Sequence, residues 1–192
     1  MKLKSGSIVC IPLMHDMGYT FAKYIDLREL KKDVLFPDLL KFYDLRSLGQ
    51  AIQSDLNSVP YLLNPMACAG LRPTIRAGTW TISGEVEVLP EDLKLPEFKS
   101  GNSSYEEVDK GEWFLHVNVE AARKTKCNYD QVRYLQPYAA VGTGTIEMRL
   151  TMYHILNERL TVDGYFDLDD DLSKWNYKQV QDSPAIRGSG LQ

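Results

Sequence analysis

The chain of 192 residues has only three cysteines, and no two of them stand at the spacing of a metal-ligand pair. Cys10, Cys68 and Cys127 are scattered and odd in number, which excludes a dense disulfide framework and predicts reduced, buried thiols. No apolar run reaches the roughly 18 residues of a spanning helix, because Asp, Lys or Arg interrupts each one. The opening Met1-Lys2-Leu3-Lys4-Ser5-Gly6 is positively charged but lacks the apolar core and cleavage site of a signal peptide. A cytoplasmic chain with no membrane partner is therefore expected. Basic excess is missing too. Lys and Arg number 22 against 26 Asp and Glu, for a net charge of -4, and the pI is about 5.4, which argues against a nucleic-acid partner.

Catalytic signatures are equally sparse. Neither Ser5-Gly6-Ser7 nor Gly188-Ser189-Gly190 fits the Gly-x-Ser-x-Gly pattern of a nucleophile elbow. Gly142-Thr143-Gly144-Thr145 lacks the lysine and spacing of a phosphate loop, and reads instead as a capped helix start. His15, His116 and His154 are far apart, with no local partner to set up a base or a ligand pair. The sequence thus assigns no catalytic, cofactor-binding or metal-binding residue, and a non-enzyme without cofactors is expected.

What is present is an ordinary soluble composition, 44% hydrophobic and 25% charged, in a length that suits one domain over residues 1–192. Ser7 to Leu13 is a short apolar run closed by Pro12. Tyr19, Phe21 and Lys23 then alternate with Thr20, Ala22 and Tyr24, which predicts an N-terminal hairpin turned by His15-Asp16-Met17-Gly18. Asp26 to Asp33 reads as a solvated loop or short helical turn, and Phe36 to Asp44 as a third strand. Trp80, Ile82, Val86 and Val88 predict either a strand pair or a strand bulged around Gly84. The β-rich part spans residues 3–98. A polar loop over residues 99–104 separates it from an α+β part at 105–175 and a frayed tail at 176–192.

In that second part Trp113 to Val119 is strand-like. Val132, Leu135, Tyr138 and Ala139 fall at helical spacing behind Asn128 as N-cap, while Ile146, Leu150, Tyr153, Leu156 and Leu160 share one helical face. Strands first and helices later predict an α+β fold, an antiparallel twisted sheet or partial β-barrel with two C-terminal helices.

One segment carries concentrated charge. From Thr161 to Trp175 there are five Asp and one Lys, whereas Ala121 to Leu160 holds six basic residues against three acids. The order is not that of a calcium loop. Charge flanked by aromatics suits recognition of a basic protein, so Asp163, Tyr165, Phe166, Asp167, Asp169, Asp170 and Asp171 are the candidate protein-binding residues.

The run Lys4-Ser5-Gly6-Ser7-Ile8-Val9-Cys10-Ile11-Pro12-Leu13, followed by Gly18-Tyr19, resembles the opening motif of immunity protein family 26 of bacterial polymorphic toxin systems. Gly78-Thr79-Trp80-Thr81-Ile82-Ser83-Gly84, with Pro90 and Leu95-Pro96-Glu97-Phe98, is similar to that family's second stretch. Glu147-Met148-Arg149-Leu150 fits its C-terminal helix. The resemblance covers most of residues 3–160 but not 26–37 or 161–192. It implies a cytoplasmic antitoxin that binds and blocks a cognate toxin, and it carries over no catalytic residue. Two rivals stand beside it: a small-ligand or peptide-binding module using Tyr19, Phe21 and Trp80, and a hydrolytic enzyme assembled in three dimensions around His116 or His154.

Overall fold

The apolar run Ser7–Pro12 (β1) and the alternating segment Tyr19–Asp26 (β2) form the expected hairpin, paired antiparallel from Ile8↔Lys23 to Pro12↔Tyr19. The structure is a computed structural model that describes residues 2–31, 33–52, 54–102, 108–120 and 123–183. His15, Asp16 and Gly18 make the turn with φ of 57°, 54° and 87°. A Cβ on Gly18 would lie 2.3 Å from the Ser47 carbonyl oxygen, so only glycine fits there.

Asp38–Ser47 (β3) pairs with β2 and runs three residues past Asp44, the expected end. Met66–Ala69 (β4) continues the sheet beyond β3, and Thr81–Glu85 (β5) flanks β1. The β1–β5 register slips between Ile8↔Gly84 and Val9↔Ile82, leaving Ser83 as the extra residue of the expected bulge. A second sheet joins Phe98–Gly101 (β6), Trp113–His116 (β7) and Lys124–Cys127 (β8). Val141–Gly142 (β9) then pairs in parallel with β4, so the large sheet has the order β5-β1-β2-β3-β4-β9 and is not a closed barrel.

The large sheet is covered on both faces. On one, Val9, Ile11, Ala22, Tyr24, Leu40 and Phe42 pack against Ile146, Leu150 and Tyr153 of helix Thr143–Asn157. Each such side chain taken out of water contributes about 1.5–3 kcal/mol. On the other face, Phe21 and Tyr43 pack with Leu56, while Ile25 and Leu39 pack with Leu27 and Phe98. Leu27 is therefore buried at the start of a 3-10 turn, inside the stretch expected to be solvated.

Three elements differ from expectation. Residues 99–101 of the supposed polar loop lie in β6, with Lys99 only 2% exposed; residues 103–104 fall outside the described residues. The strand expected to reach Val119 stops at His116, because Asn118 and Val119 turn with φ of 57° and 52°. The helix after Asn128 covers only Tyr129–Val132. Pro137 has no N–H to offer the Arg133 carbonyl, and the Lys99 ammonium takes that oxygen instead at 2.5 Å. Burial pushes the Lys99 ammonium down to about 8.

With chain-order numbering, Leu71–Arg76 is α1, Tyr129–Val132 is α2 and Thr143–Asn157 is α3. The second long C-terminal helix is Asp171–Asp182 (α4), in a region expected to be acidic turn and frayed tail. Its Val180 is 2% exposed in the main core. Residues 184–192, including Gly188-Ser189-Gly190, lie outside the described residues.

Candidate functional site

Two constellations stand out: the acidic segment expected from sequence, and a buried cluster of lysines that sequence reasoning missed. The acidic segment is a 3-10 turn, Val162–Gly164, followed by the approach to α4. Asp163, Tyr165, Asp167, Asp169, Asp170 and Asp171 are all exposed. Phe166 is not available to a partner: it is 7% exposed, sits in the main core and meets the His15 ring edge-on at 4.8 Å. Its place in the candidate surface is corrected to that of an anchor beneath it.

Part of this charge has a local use. Asp170 is the N-cap of α4, its carboxylate accepting from the Ser173 N–H at 2.8 Å, and Asp171 occupies the first turn. Asp167 accepts from the Asp169 N–H at 2.9 Å. Asp163, Asp169 and Asp171 have no comparable bond within the segment among the described residues.

The second constellation sits on the sheet face opposite α3. Lys23 of β2 and Lys41 of β3 are cross-strand neighbours, 2% and 8% exposed. Between their ammonium groups lies Asp92, fully buried in the 3-10 turn Pro90–Leu93. Asp92 Oδ2 accepts from Lys23 Nζ at 2.6 Å and from the Leu89 N–H at 3.0 Å. Its Oδ1 accepts from Lys41 Nζ and from the Tyr61 hydroxyl, each at 2.9 Å.

Burial pushes the Asp92 carboxyl up, but these donors outweigh it and hold the group at about 2. Burial and the neighbouring carboxylate raise the Tyr61 hydroxyl, and burial pushes Tyr43 up to about 12. Beside the cluster opens a groove of about 280 Å³, lined by Lys23, Tyr43, Leu56, Val59, Tyr61 and Glu91 among others. A signal for the cluster does exist in the sequence. Phe21, Lys23 and Ile25, and likewise Leu39, Lys41 and Tyr43, share one strand parity, so each lysine falls where an inward apolar residue belongs.

The residues of the rival readings do not come together. Phe21 and Trp80 are both fully buried, and they belong to different clusters on opposite faces of the sheet, so they form no binding face with Tyr19. The Trp80 indole N–H is spent on Glu147 at 2.6 Å. His116 Nε2 lies 2.7 Å from Ser100 Oγ, its Nδ1 lies 3.4 Å from the Glu120 carbonyl, and its ring stacks on Tyr138 at 4.3 Å. Burial lowers its pKa, and no carboxylate side chain is bonded to it among the described residues. His154 is 4% exposed within α3.

Cys10 and Cys68 are buried as free thiols, and Cys127 is half-buried. Among the described residues, no group of three or more His, Cys, Asp or Glu could hold a metal ion, and no helix is long and apolar enough to cross a membrane. In comparisons with known proteins, no family model, curated protein or solved structure matches the chain. The likeness to immunity protein family 26 therefore rests on the motif residues alone.

Proposed function

We infer that this chain is a cytoplasmic immunity protein that binds a cognate bacterial toxin and neutralises it by occlusion. The family is suggested by the motif resemblance. The observation that supports a protein partner is the run of exposed acids at Asp163, Asp167, Asp169, Asp170 and Asp171, with Tyr165 and Leu172 at 37% and 53% exposure among them. Such a surface favours a basic partner: charge speeds the encounter, and the exposed aromatic and aliphatic groups lose water on docking. Its frame is firm, since Val162 and Phe166 are buried beneath it and α4 is capped within it. Occlusion needs no reacting group from this chain.

Co-expression with the product of the adjacent gene tests the reading. Relief of that product's growth arrest and a stable complex are expected. Failure to bind any neighbouring product would overturn immunity. Reversing Asp167, Asp169 and Asp171 to lysine should weaken the complex and flatten its salt dependence. If affinity and salt dependence both stay unchanged, the acidic run is not the contact surface.

A further inference from the structure

The buried cluster holds two ammonium groups against one carboxylate. Tying β2 and β3 to the 3-10 turn at Pro90–Leu93 accounts for one lysine, because one ammonium already balances Asp92. The second, on Lys41, also donates to the Glu91 carbonyl at 3.1 Å and lies 5.4 Å over the Tyr61 ring, but among the described residues no second carboxylate side chain meets either lysine. Asp92 has no acceptor capacity left: its two oxygens already take Lys23, Lys41, the Tyr61 hydroxyl and the Leu89 N–H. An uncompensated charge at this depth is costly unless an anion answers it. The groove's own acid, Glu91, is exposed to solvent.

Lys23 is 98% withdrawn from solvent yet forms part of the groove wall. Its Nζ has three donors and gives two of them, to Asp92 and to the Glu87 carbonyl at 3.1 Å. Leu56, Val59 and Leu89 supply apolar lining to the same groove. The groove's volume, about 280 Å³, lies at the small end of ligand sites.

We propose that this groove binds a small molecule with one carboxylate and a short apolar body, the carboxylate meeting the Lys23 side and the body lying against Leu56 and Val59. The charge count selects the headgroup. A carboxylate restores two positive charges against two negative, whereas a phosphate dianion overshoots and leaves the site negative. The site is separate from the acidic surface and independent of the toxin reading.

Titration of the isotopically labelled protein with butanoate, followed by amide NMR shifts, tests the proposal. Saturable shifts at Asn57, Val59 and Tyr61 are expected, with no such shifts from butylammonium, which has the same tail and the opposite charge. Inorganic phosphate should bind at least about tenfold more weakly. Val59→Trp fills the groove while keeping every member of the charged cluster and should abolish the shifts. Lys41→Met restores one-to-one charge without entering the groove, should cost butanoate at least about tenfold in affinity, and stands as the test if Val59→Trp does not fold. Absence of saturable butanoate shifts overturns the site. So does equal response to butylammonium, or undiminished binding in either variant. Phosphate binding as tightly as butanoate overturns the carboxylate assignment.

Discussion

On one face of the six-stranded sheet, Val9, Ile11, Ala22, Tyr24, Leu40 and Phe42 meet α3 through apolar contact. On the other, Lys23 and Lys41 stand among Phe21, Ile25, Leu39 and Tyr43 around one aspartate. The apolar face is held by area and shape, which neighbouring side chains can share and redistribute. The charged face is held by a few directional bonds, and its cost is set by whether charges balance. It also specifies more. A one-residue slip of β2 against β3 would turn Lys23 to the α3 face, away from Lys41 and Asp92.

The sharpest way to break this comparison is Asp92→Asn, which keeps shape and removes the carboxylate between the lysines. A loss of about 3–5 kcal/mol is expected in urea unfolding, against less than about 1.5 kcal/mol for the shape-preserving Leu40→Met on the apolar face. Lys41→Met should fall well below Asp92→Asn, since it leaves a balanced pair. Equal losses for the two would show that charge balance does not govern this face.

Acid provides the next largest effect. The Asp92 carboxyl is held at about 2 in the folded chain and near 3.9 when unfolded, so its contribution is fully present above about pH 4. It is lost as pH falls toward 2, a change on the order of 2 kcal/mol. Stability measured from pH 5 to pH 2 should drop less steeply in Asp92→Asn. Matching slopes would rule out the carboxylate as the titrating group.

The smallest effect concerns the acidic surface near the apolar face. Asp170→Ala removes the α4 cap and should cost about 1 kcal/mol, while Asp169→Ala should stay within about 0.5 kcal/mol. Thermal melts of the two variants distinguish a capping carboxylate from one left free for a partner. A larger loss at Asp169 would mean that this acid serves the fold.

Strands β1, β2, β3, β5 and β7 and helix α3 were legible because their periodicity is set by burial on a known face, whereas β4, β6, β8 and β9, none longer than four residues, showed no such pattern. Helix α4 was hidden for the opposite reason: its buried side includes Ser173, Asn176 and Gln179 beside Val180, so it shows little apolar stripe. Asn176 is held by a tertiary partner that no local pattern displays, Arg149 Nε donating to its Oδ1 at 2.7 Å. The exposed acids at 163–171 could be read from charge alone, whereas Phe166 went inward as a large aromatic does when a core is at hand. The cluster of Lys23, Lys41 and Asp92 depends on strand register and on a loop folding back across about seventy residues. Only the misplaced parity of the lysines hinted at it.

The three tryptophans divide the molecule among themselves. Trp80 is fully buried between the large sheet and α3, with its indole N–H on Glu147. Trp113 belongs to the small sheet, tilted against Tyr129 at 4.6 Å with its N–H on the Val108 carbonyl. Trp175 rides half-buried on α4. Each indole thus has its own polarity and its own neighbours, and its emission reports the loosening of one region rather than the whole. Single-tryptophan versions of the chain would make the order in which those regions come apart visible as colour.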